Sequence, residues 1–139
     1  MHALVERLFN TDQPYLEALA EDSDRSVIER IQDYVNHLAK FLGKTSGLQP
    51  VFLESYARAS RDPKVAELVA GFFEEYQRLA EKLLRQGIAS GEFPEDTNPK
   101  LVSSVLITQI EGCIVIANLT GQRVETLLRR NMGFLLKRL

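Results

Sequence analysis

The residue that most invites a chemical role is Glu111. It sits inside LVSSVLITQIEGCIVIANL (101–119), a stretch that is apolar nearly all the way round at helical spacing. A carboxylate in the middle of a buried helix is costly unless it is paired or hydrogen-bonded. Glu111 is therefore either a satisfied core group or a polar anchor in a ligand cavity, with Gln109 and Asn118 as possible companions. Asp33 and His37 share a helix face at four-residue spacing, where the carboxylate could orient the imidazole; a half-exposed pair at the edge of a core stripe accounts for them more simply. Cys113 is a lone thiol on the apolar helix and reads as an inert core residue rather than a nucleophile. The aromatics Tyr34, Phe41, Phe52, Tyr56, Phe72, Phe73 and Tyr76 are ordinary core residues taken singly. Together they lie on three helices that would face one another around an apolar space edged by phenolic hydroxyls.

Other chemistry is missing. There is no GxSxG elbow, no GxxxxGK[ST] phosphate loop and no GxGxxG after a strand. Neither histidine lies three residues after a glutamate, so the paired Glu-x-x-His motifs of a di-iron bundle are absent. One cysteine and two histidines leave no multi-cysteine or histidine-rich metal site, and no cofactor is expected. A helical enzyme using Glu111 as a buried base finds no second catalytic group in the sequence. The reading is non-enzymatic.

The elements that must position these residues are helical throughout, with no strand-like alternation. His2 to Asn10 reads as the end of one helix, and Pro14 as the start or kink of another running to about Ala20. DSDRS (22–26) is a turn, and Ser26 with Glu29 has capping-box spacing. Val27, Ile28, Ile31, Val35, Leu38 and Leu42 then recur at helical spacing as far as the Gly43–Gly47 turn. A third helix follows Pro50. Asp62-Pro63 and Asn98-Pro99 each join a capping side chain to a proline at the first helical position, so two further helices start there. The first of these runs to about Ala89 and Gly91, roughly 40 Å. The second is the apolar helix. A membrane span fits it poorly, because Glu111 and Gln109 interrupt its middle. Gly121 stops it, and a final helix holds Val124, Leu127, Leu128, Met132, Leu135 and Leu139 on one face.

The 139 residues fit one domain, 1–139, with an ordinary globular balance of 45% apolar and 26% charged residues. The net charge of −2 is not that of a domain built to neutralise many phosphates. Residues 121–139 do carry five basic side chains against one acidic, but helix ends favour cations in any case. No secretory signal opens the chain, so a cytoplasmic protein is expected.

The stretch from Leu53 to Leu119 resembles the ligand-binding and dimerisation domain of the tetracycline-repressor (TetR) family of bacterial regulators. LESYARASRDPKVAELVAGFFEEY (53–76), GIASGEFPEDTNPKLVSSVLI (87–107) and IEGCIVIAN (110–118) carry the resemblance. Weaker similarity reaches back to Met1, where HALVERLF looks like the helix joining the family's two domains. The resemblance implies an all-α bundle whose last two helices form a four-helix bundle with a second copy. It also implies a small-molecule effector that is coupled reciprocally to DNA binding by an N-terminal helix-turn-helix. Residues 1–50 offer no basic recognition helix, so the expectation is either a piece of a longer regulator or a stand-alone relic of the regulatory half.

The expected function is therefore the effector-sensing, dimerising domain of a TetR-like transcriptional regulator that binds a small, mostly apolar ligand. DNA is contacted only through a domain absent from these residues, and the membrane not at all. From helical facing, the expected cavity lining is Tyr34, His37, Tyr56, Phe72, Tyr76, Gln109, Glu111 and Cys113. The expected homodimer interface is Val105, Gly112, Val115, Leu119, Leu127, Leu128, Met132 and Leu135. On the apolar helix, Ser104, Thr108 and Gly112 recur every four residues and would permit close helix approach. The alternative is a stand-alone helical interaction module that pairs with another protein through its last two helices.

Overall fold

A computed structural model describes residues 2–139, which form six α-helices and one short 3-10 turn. The helices are α1 (His2–Glu21), α2 (Val27–Lys44), α3 (Gln49–Ala59), α4 (Pro63–Ala89), α5 (Pro99–Thr120) and α6 (Val124–Leu136), with the turn at Ser46–Leu48. Buried side chains of α1, α2, α4, α5 and α6, with Phe93 from the α4–α5 loop, make one continuous apolar cluster. Partners of α5 are α3, α4 and α6, and α2 packs on α6, so the second and the last helix meet across the bundle.

The starts of α2, α4 and α5 follow their local chemistry. Asp62 Oδ1 accepts from the Lys64 amide with Pro63 behind it, and Asn98 Oδ1 accepts from the Leu101 amide with Pro99 behind it. Ser26 Oγ accepts from the Glu29 amide at the start of α2. The remaining free amides there are served from far along the chain, since the Glu92 carboxylate accepts from the Val27 amide at 2.8 Å and from the Ile28 amide at 3.1 Å. Gly121, with φ +73°, ends α5 in the left-handed region that glycine adopts freely.

The GIASGEF segment has a physical logic. Gly91 turns the chain at φ +82°, Glu92 caps α2, and the Phe93 ring folds back onto α4 at Gly87. A Cβ on Gly87 would lie 2.4 Å from two atoms of that buried ring. Gly87→Ala is therefore expected to destabilise the fold by about 1–3 kcal/mol through overpacking. A denaturant midpoint equal to the parent's would show that Phe93 can move aside at no cost.

One expectation needs correction. Pro14 neither starts nor separates a helix, because α1 runs unbroken from His2 to Glu21 with Pro14 inside it. The proline gives up one backbone bond to Asn10, and the packing of α1 on α2 and α4 carries the helix through. At its C-terminal end α1 is tied down by the buried Arg30, which donates to Leu19 O and Gln86 Oε1, and by Gln86, which donates to Ala20 O. Within a single chain α5 is buried on one side only. Ser103, Leu106, Cys113, Ile114 and Ala117 face the bundle, whereas Leu101, Val105, Ile116 and Leu119 are exposed. By length and composition α5 would suffice to cross a membrane, at a mean hydropathy of 1.6. Its packing against three helices and the bonded carboxylate at its centre describe a bundle helix instead.

Candidate effector cavity

Between α1, α2, α3, α4 and α5, with Met132 of α6 behind, lies a cavity of about 100 Å³. Its wall is overwhelmingly hydrocarbon, from residues such as Leu16, Val35, Leu38, Leu83, Ile107 and Ile110. Five aromatic rings line it as well, those of Tyr34, Phe52, Tyr56, Phe73 and Tyr76. Among the described residues its charged groups are two carboxylates, Asp12 from α1 and Glu111 from α5.

Each carboxylate is held by phenols. Asp12 Oδ2 accepts from the Tyr34 and Tyr76 hydroxyls, both at 2.7 Å, so one buried oxygen joins α1 to α2 and α4. Glu111 Oε2 accepts from the Tyr56 hydroxyl at 2.5 Å and so joins α5 to α3. All three tyrosines are raised well above the ordinary phenol range, chiefly by burial and then by the carboxylate beside each. They are neutral donors at any physiological pH. Burial likewise raises Glu111; the Tyr56 bond opposes the rise and the Asp12 charge adds to it.

That shift sets a pH dependence. An unfolded Glu111 ionises near the ordinary value of 4.5, and the folded one ionises higher. Between the two values the folded state binds more proton, so this group's contribution to stability falls as pH rises. Glu111→Gln removes that fall. The melting temperature of the variant relative to the parent is expected to climb as pH rises above about 4.5 and to level off once the folded carboxyl is ionised. A difference that stays flat over this range would mean that the carboxyl titrates normally.

Of the eight residues expected around the cavity, the structure brings Tyr34, Tyr56, Tyr76 and Glu111 together and leaves four outside its wall. Gln109 lies about 200° round the helix from Glu111, so one cavity cannot take both. Gln109 and Cys113 instead share a face on which the Gln109 amide donates to the buried thiol, with Leu127 O and Asn131 nearby on α6. Phe72 packs against the apolar cluster, and its neighbour Phe73 takes the cavity position. His37 stacks on Tyr15 with centroids 3.8 Å apart, and its Nε2 lies 3.8 Å from Asp12 Oδ1. Its sequence neighbour Asp33 pairs with Arg25 at 2.5 Å, so the Asp33–His37 pairing is not formed. Asn118 is tied to Gln49 near the other end of α5.

The sequence profile described as tetracyclin repressor-like, C-terminal domain, matches residues 54–131, more than half of the chain. The chain belongs to this family. In a TetR-like C-terminal domain the regulatory half of a transcriptional regulator binds ligand and does no catalysis, and the all-helical bundle agrees with that fold. The match takes in α4 and α5 whole and most of α3 and α6, so the Tyr56–Glu111 side of the cavity falls inside it, whereas Asp12 and Tyr34 lie before it. No curated protein and no solved structure matches the chain significantly.

The eight expected interface residues divide similarly. Val105, Gly112 and Leu119 are exposed, and Val115 and Leu135 are half-buried. Leu127, Leu128 and Met132 belong instead to the protomer's own core. They complete the cluster where α6 meets α2 and α5, and they keep no surface for a partner. Leu101, Ile116 and Phe134 are large exposed apolar residues that the helical facing overlooked.

Proposed function

We propose that this chain is the effector-sensing and dimerising part of a TetR-like transcriptional regulator, in which a small, mostly apolar molecule enters the cavity and biases DNA binding by a separate helix-turn-helix domain. The observation that carries this reading is a cavity walled by hydrocarbon but furnished with a few convergent polar groups, namely Asp12, Glu111 and three phenols. Five of the six helices supply its main wall, so an occupant touches most of the bundle at once. An occupant that favours one arrangement of α1 over another shifts the regulator by that differential affinity, and DNA in turn changes effector affinity by the same factor. Dimerisation through α5 and α6 would transmit the change to a second copy.

A thermal-shift screen of small hydrophobic compounds against the purified chain tests the cavity. At least one compound is expected to raise the melting temperature, and the rise should shrink in Tyr56→Phe and Glu111→Gln. If both variants kept the parent's full shift for every active compound, the cavity would not be the effector site. A stoichiometric hetero-partner that co-purifies, with no compound binding, would favour the interaction-module reading instead.

A further inference from the structure

We infer that the cavity selects an organic cation, a quaternary or protonated amine carried on a compact hydrocarbon body. The inference rests on the reading of this cavity as the effector site and narrows it to a ligand class.

Three features converge on positive charge. The charged side chains that line the cavity are both carboxylates, and no Lys, Arg or His is among the described residues of its wall. Among the described residues each carboxylate is met by neutral hydroxyls, from Tyr56 on Glu111 and from Tyr34 and Tyr76 on Asp12, so negative charge there is solvated by dipoles. His37 Nε2 stands 3.8 Å from Asp12 on the outer side, stacked on Tyr15, and contributes a counter-charge only when protonated. The remaining wall presents the rings of Tyr34, Phe52, Tyr56, Phe73 and Tyr76. Aromatic faces attract a desolvated cation and suit a quaternary ammonium in particular.

The same arrangement disfavours the other charge classes. An anionic effector would place a negative charge beside two carboxyl groups in a low-dielectric space. A neutral hydrocarbon would bind by apolar contact alone and gain nothing from Asp12 or Glu111. At about 100 Å³ the unoccupied space suits a trimethylammonium-sized head or a single small ring.

Three probes of one shape separate these cases: choline, its neutral carbon isostere 3,3-dimethylbutan-1-ol, and the anion 3,3-dimethylbutyrate. Binding to the full 139-residue chain is followed by NMR shifts of the tyrosine rings and by calorimetry. Choline is expected to bind at least tenfold more tightly than the alcohol, and the butyrate most weakly. Asp12→Asn and Glu111→Gln should each weaken choline severalfold and leave the alcohol unchanged. The comparison on the parent chain holds even if a variant fails to fold. Alcohol binding equal to or tighter than choline would overturn the cation inference and leave the effector cavity intact. Tighter binding of the butyrate would overturn it as well. No response to any of the three would overturn the cation inference, and the thermal-shift screen decides the effector reading separately.

Discussion

Leu128→Ala is expected to lower the melting temperature by on the order of 10 °C, without changing the association state of the protein that remains folded. The two halves of that statement separate a core role from an interface role. Leu128 is 0% exposed within a single chain and sits in the apolar cluster where α6 packs against α2 and α5. Truncation removes three carbons from a filled space, at a cost of about 2–5 kcal/mol that depends on how far the site can collapse. Met132, likewise 0% exposed, lies one helical turn further along. It also forms part of the cavity wall, so its truncation would enlarge the cavity as well as loosen the core. Thermal melting followed by circular dichroism gives the stability change, and sedimentation of the same sample gives the mass. A Leu128→Ala protein that melts like the parent but sediments at a lower mass would return this residue to the surface.

Much of the fold was legible because its punctuation is chemical and local. Asp62-Pro63 and Asn98-Pro99 predict helix starts from side-chain oxygens and proline geometry, and both helices begin there. The α1 helix was less legible for the same reason. Pro14 carries a strong local break signal, and the packing of α1 on α2, α3 and α4 overrides it. Asp12 carries no signal of its own in the sequence, because nothing local shows that it is buried. In the continuous helix it accepts from two tyrosines of distant elements.

The other misses are matters of rotation. Sequence spacing fixes which residues share a face, but the direction of that face depends on neighbours far along the chain. Phe72 and Phe73 are adjacent and differ by about 100° around α4, and no local signal decides which ring reaches the cavity. On α6 the apolar stripe was legible and its partner was not. The face reads equally well as covered by another copy or by α2 and α5, and the structure gives it to the latter. Glu111 was found because a carboxylate on an apolar helix demands an account from the sequence alone. Its partner Tyr56, 55 residues earlier, is fixed only by the fold.

Once α6 has spent its leucines inside the protomer, the proposed interface must be carried chiefly by α5. On this helix Leu101, Val105, Thr108, Gly112, Val115 or Ile116, and Leu119 recur at alternating four- and three-residue steps, a continuous stripe opposite the buried face. Leu119 is 71% exposed and Val105 42% exposed, and Gly112 at the centre would let two helices approach closely. Leu119→Glu is expected to weaken self-association roughly a hundredfold or more. A two-fold contact loses the side chain twice and sets two carboxylates in one apolar seam. Because the substituted position is exposed in the protomer, the helical signal in circular dichroism should be unchanged. Sedimentation at tens of micromolar decides the matter: the parent should run as a dimer and the variant as a monomer. A parent that is already monomeric would remove the dimer proposal. A variant that stays dimeric would move the contact from this stripe to another surface, such as the one around Phe134, whose ring is capped by the Arg138 guanidinium.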